Sequence, residues 1–212
     1  MTYTLVGFPK EDKQPMKAAF DMMAKASQRA CQALLKGDLS AYNVFFEATG
    51  TQHLMKVASV VKGIDDTIRN KKVTFVYAGA RAHRRQQHVC GNRVKVLPKG
   101  VLAEVTGKDT QFTGRDFGSK VVNTPDGQIK VEQGWELKWL AAEGLTVYVV
   151  PKAHSGDTKY LAETLYHELS HAVANTDDLT YDEPSCKKLA QEGGASINAE
   201  NYCLFASHYM GA

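Results

Sequence analysis

His167 and His171 stand four residues apart with Glu168 directly after the first, in the order H-E-x-x-H. On a helix that spacing turns both imidazoles to nearly the same side, where they can reach one metal ion. Glu168 then lies beside the metal's open position, able to take a proton from a bound water and pass it to a leaving amine. The chemistry these residue types and spacings allow is zinc-assisted hydrolysis of an amide bond. A hydrolytic zinc site has three protein ligands and leaves a fourth position for water or substrate, so one ligand must come from downstream.

Three places can supply it. A metzincin would put a histidine six residues past His171 and a glycine three past it, but those positions hold Asp177 and Ala174. A thermolysin-like enzyme would use a glutamate on a following helix, for which Glu192 or Glu200 has suitable spacing. The third source is an aspartate in the loop directly after the helix, where the chain reads "NTDDLTYD" from Asn175 to Asp182.

That loop resembles the G-T-x-D-x-x-Y-G signature of the deuterolysin-like zinc endopeptidases, the aspzincins. The resemblance implies one zinc ion held by His167, His171 and Asp178, with Glu168 as general base and Tyr181 stabilising the tetrahedral oxyanion. Thr176 matches the signature's threonine, while Asn175 and Asp182 replace its two glycines. Asparagine tolerates left-handed backbone, so Asn175 can stand for a turn glycine. Asp177 is the competing ligand, but choosing it breaks the T-x-D-x-x-Y spacing. Farther on, "NAENYCLFA" at 198–206 resembles the family's N-A-D-x-x-x-x-F segment. Lysine-specific members place acidic residues there to receive a substrate lysine. The corresponding positions here are Glu200 and Cys203, which makes Glu200 a candidate substrate-binding residue and equally a candidate for a place behind the ligands.

These residues need elements to hold them. Leu161, Leu165, Leu169 and Ala172 form one apolar stripe at helical spacing, with the histidines on another face, and Ser155 or Asp157 can cap the start of that helix. Upstream, a long amphipathic helix is expected from Pro15 to about Lys36 and another from about Thr51. "KVTFVYAG" and "LTVYVV" read as buried strands, "RVKVLP" and "SKVVN" as short ones, and "TPDG" at Thr124 to Gly127 as a turn. A short helix around "PSCKKLAQEG" and a last one in "SINAENYCLFASHYM" follow the motif. The pattern and the resemblance together imply an α+β, zincin-like single domain over residues 1–212, mostly helical, with a small β-sheet beside the motif helix.

The bulk numbers fit that expectation. The 212 residues are 43% hydrophobic, with a net charge of +3 and a pI near 8.6. The positive residues are spread out apart from "RAHRR", so nucleic acid is not an expected partner; a peptide or protein substrate is. No run reaches the roughly 18 apolar residues of a membrane span. "HRRQQHVC", with His83, His88 and Cys90, fits no zinc-ligand spacing and reads as a solvated basic loop. His53, His154 and His208 are isolated. Family members are commonly disulfide-bonded secreted proteins, which leaves Cys186–Cys203 and Cys31–Cys90 pairing open beside four free thiols. The first residues lack the basic start and apolar centre of a secretory signal. The expectation is therefore a monomer exported by another route, a secreted protease or an antibacterial effector toxin with a cognate inhibitor or immunity protein, with the cytoplasm left open. A non-catalytic binding protein stapled by a closed four-ligand zinc is the reading of a different class.

Overall fold

Val73, Phe75 and Tyr77 are buried while Lys72, Thr74 and Val76 are exposed or half-buried, the alternation of a strand with one face on a core. The computed structural model describes residues 2–47, 50–77, 88–89, 92–93, 103–105, 119–124, 127–132, 145–150 and 156–211. Its main sheet joins β1 (Thr2–Val6), β2 (Lys72–Tyr77), β8 (Leu145–Val149) and β5 (Ala103–Val105) in the order β1-β2-β8-β5. The first three strands are parallel, with Val73 opposite both Tyr3 and Leu145, and β5 runs antiparallel on the β8 edge. Two small antiparallel pairs stand apart: β3 (His88–Val89) with β4 (Asn92–Arg93), and β6 (Ser119–Thr124) with β7 (Gly127–Glu132). Thr124 faces Gly127 across the second pair, and the two residues between them in "TPDG" lie outside the described residues.

Parallel strands need long crossovers, and the one from β1 to β2 is the helical half of the protein: α1 (Lys10–Leu35), α2 (Ser40–Phe45) and α3 (Thr51–Asn70). The first helix starts five residues earlier than its proline suggests. Glu11 and Asp12 occupy its first turn, at the positive end of the helix dipole, and Pro15 lies inside it. Phe20 of α1 is buried between the sheet and the helix layer, its ring 4.4 Å from Tyr3 and 5.8 Å from Phe75.

The remaining elements are α4 (Thr158–Ala174), α5 (Glu183–Gln191) and α6 (Ala199–Ser207), with a 3-10 turn at Ala195–Ile197 leading into α6. Helix α4 packs on α1, α3 and α6 and touches β5. A second aromatic group locks α6 in place, with Phe46 4.9 Å from Tyr202 and 5.7 Å from Phe205, all fully buried. The architecture is α+β, mostly helical, with a small mixed sheet beside α4. Cys31, Cys186 and Cys203 are free thiols, and Cys186 and Cys203 are buried. Cys90, His83, His154, Ser155, all of "RAHRR" and most of "RVKVLP" lie outside the described residues. None of the described helices is long and apolar enough to cross a membrane.

Candidate active site

Helix α4 begins at Asp157, whose carboxylate accepts from the Tyr160 N–H at 3.0 Å, and it ends at Asn175 with φ 50° and ψ 43°. That left-handed residue is the turn the glycine substitution required, and it sends the chain back along the helix. Leu161, Leu165 and Leu169 are buried in the core, so the opposite side of α4 presents His167 and His171 to the returning loop. Asp182 meets no such demand. Its backbone is extended, and it caps α5 by accepting from the Ser185 N–H at 2.9 Å.

Three donor atoms converge between helix and loop. His167 Nε2 lies 3.0 Å from His171 Nε2 and 2.9 Å from Asp178 Oδ1, and His171 Nε2 lies 3.2 Å from the same oxygen. Among the described residues these three form the cluster able to hold a metal. The far nitrogens explain what the cluster is. His171 Nδ1 is 2.6 Å from the Thr176 carbonyl oxygen, and His167 Nδ1 is 2.9 Å from Glu200 Oε2. A carbonyl and a carboxylate only accept, so both rings carry a proton on Nδ1, and each ring in its neutral form turns a lone pair inward at Nε2. Two lone pairs and an anionic oxygen within about 3 Å of one another repel unless a proton or a metal ion sits among them. The donor set of two imidazole nitrogens and one carboxylate suits zinc.

The groups around His167 favour positive charge at this place. Burial opposes its protonation, but the hydrogen bond to Glu200 and the charges of Glu168, Glu200 and Asp178 outweigh that and raise its pKa above 6.5. Glu168 is 8% exposed, on the same helix as both histidines. Tyr181 covers the cluster from the solvent side, its ring 5.9 Å from that of His167 and within 14° of parallel. Desolvation and the neighbouring Asp178 carboxylate push its phenol up to about 12, so it remains a hydrogen-bond donor.

The other candidates lie elsewhere. Asp177 contributes its backbone to an isolated bridge with Asn198. Glu192 pairs with Lys188 at 3.8 Å. Glu200 faces the Nδ1 side of His167, away from the point where the donors meet. Sequence reasoning missed Ser170 and Asn198. Ser170 Oγ is 2.8 Å from Thr176 Oγ1, tying helix to loop, and a serine inside the apolar arc of a buried helix was the available signal.

The family model of the aspzincins, described as lysine-specific metallo-endopeptidase, matches residues 145–207, from β8 through α6. The fold is similar to that of a zinc peptidase from Grifola frondosa, with a TM-score of 0.61 and 16% identity over 95% of this chain and 97% of that one. No curated protein sequence matches the chain. Residues 145–207, the helix and loop that carry the donors among them, thus match the aspzincin pattern, and the fold over nearly the whole chain is similar to that of a zinc peptidase.

Proposed function

We propose that residues 1–212 act as one zincin-like catalytic domain that cleaves peptide bonds within protein substrates, with a single zinc held by His167, His171 and Asp178. The observation that carries this reading is the inward convergence of the two Nε2 atoms and the Asp178 carboxylate. Zinc bound there would supply Lewis acidity, polarising the scissile carbonyl and acidifying a water. Glu168 takes the proton of the attacking water as its oxygen bonds to the carbonyl carbon. It then delivers that proton to the amine nitrogen as the C–N bond breaks. Tyr181 donates its O–H to the oxygen on which negative charge develops. Glu200 and the Thr176 carbonyl hold the two imidazoles in the tautomer that keeps Nε2 bare. Glu200 is thus better employed behind His167 than in receiving a substrate lysine.

The test is metal quantification and cleavage of an unstructured protein, with and without chelator. One zinc per chain is expected. Glu168→Ala should keep the zinc and lose cleavage, Asp178→Ala should lose the zinc, and Asp177→Ala should keep both. Chelator-insensitive cleavage would defeat the reading, and zinc lost from Asp177→Ala but kept in Asp178→Ala would reassign the third ligand. We extend the reading to a monomer working outside the cell that makes it, as a secreted protease or as a toxin checked by a cognate inhibitor. Expression in the cytoplasm or periplasm of a test host separates the two, because harmless expression in both counts against the toxin.

A further inference from the structure

Asp178 is 45% exposed on its side chain, yet a metal ligand must be held within a fraction of an ångström. Packing cannot hold a group that faces water, so the restraint has to come through its backbone. On one side, the Asp177 N–H donates to the Ile197 carbonyl at 2.7 Å and the Ala199 N–H donates to the Asp177 carbonyl at 2.9 Å. On the other, the Asn198 side chain takes over. Its Oδ1 accepts from the Leu179 N–H at 3.0 Å and the Thr180 N–H at 3.3 Å, and its Nδ2 donates to the Thr180 carbonyl at 3.2 Å.

The orientation of that amide follows from chemistry, since two N–H donors must meet the oxygen. Asn198 is fully buried, and its Nδ2 also donates to Asn201 Oδ1 at 2.7 Å. Asn201, equally buried, donates in turn to the carbonyls of Phe45 and Cys186, at 2.7 and 3.0 Å. The clasp is therefore anchored to α2 and α5. An asparagine at a helix N-cap ordinarily caps its own helix. Asn198 occupies the N-cap of α6 and makes no such bond, directing its amide to the loop instead.

We propose that Asn198 is a positioning residue for the metal site: its amide clasps the backbone between Asp178 and Tyr181 and so sets both the third ligand and the oxyanion donor. Two residues on, Glu200 orients His167 from the same turn, so the segment entering α6 serves as a common jig for helix ligand and loop ligand. This rests on the zinc-peptidase reading above.

The experiment compares wild type, Asn198→Ala and Asn198→Asp. The aspartate keeps an oxygen for the two N–H groups but cannot donate to Thr180 or Asn201. Zinc dissociation constants measured against a chromophoric chelator should rise about 10- to 100-fold in the alanine variant and less in the aspartate. The turnover number should fall with KM near wild type, and the visible spectrum of the cobalt-substituted protein should shift with the altered ligand field. A merely structural asparagine would move the unfolding midpoint and none of these three. The amide protons of Leu179 and Thr180 should also exchange about tenfold faster, with or without metal. If Asn198→Ala does not fold, Asn198→Asp decides by the same readouts. A folded variant with wild-type zinc affinity, turnover, cobalt spectrum and amide exchange overturns the proposal. Wild type that binds no zinc would sink the peptidase reading instead, and the exchange measurement would still test the clasp.

Discussion

Tyr181 is 62% exposed, whereas Glu168 is 8% exposed and His167 sits beneath the tyrosine ring. A hydrogen bond offered from so open a position is weak in water and strengthens once substrate displaces that water. The arrangement suits a group that acts late, on charge that appears only after the substrate is seated. Tyr181→Phe keeps the ring over His167 and removes the donor. It should lower the turnover number by about 10²- to 10³-fold while KM and zinc content stay near wild type. A raised KM with unchanged turnover would instead make Tyr181 part of the binding surface. Its pKa of about 12 removes phenol ionisation as a cause of any activity loss at mildly alkaline pH.

At the scale of elements, each end of the loop is closed by a residue standing where the family signature has glycine, and each does so differently. Asn175 takes the left-handed turn itself, while Asp182 uses its carboxylate to start α5. The Ser185 backbone N–H, then the Ser185 side chain, hold the Asp182 carboxyl below its ordinary value of 3.8. A carboxyl whose pKa is lower folded than unfolded stabilises the fold above the unfolded value. That contribution is lost as pH falls through the lower, folded one. Asp182→Asn keeps a capping oxygen and cannot titrate. Denaturant midpoints at neutral pH and near about pH 3 should therefore differ less in the variant than in wild type. An equal difference would show that the cap carries no acid sensitivity.

The same loop shows what could be read in advance. The motif helix, a cap at Ser155 or Asp157 and the pairing of His167 with His171 follow from spacing and local propensity, which act within a few residues, whereas Asn175 as the turn and Asp178 as the third donor were implied by the resemblance to the aspzincin loop. Strand β1, five residues of mixed polarity at a sheet edge, and the six-residue α2 carry too little periodicity to be distinguished. Asn198 and Asn201 were illegible for a different reason. An amide reads as polar in sequence, and only the fold brings Phe45, 156 positions away, against Asn201. The position of Glu200 behind His167 likewise depends on α6 packing across α4.

For the whole molecule, the donors bridge two parts of unequal stability. The histidines belong to α4, buried against α1, α3 and α6, while Asp178 belongs to an exposed loop held chiefly by the Asn198 clasp. A cation that binds only the assembled site stabilises the folded state by about 2.7 kcal/mol at a hundredfold excess over its dissociation constant. Its removal leaves two lone pairs and a carboxylate facing one another, and the loop is the part free to yield. Chelation should therefore lower the unfolding midpoint and speed amide exchange first across 176–182 and then in α5. Exchange in α1, α3 and the sheet should stay slow, because Phe20, Phe75, Val61 and Ile64 hold them in the buried hydrophobic core. Hydrogen exchange with and without chelator measures this directly. Uniform acceleration through α1 and the sheet would mean that the metal holds the entire fold, and the reading of a structural zinc staple would regain ground over a catalytic one.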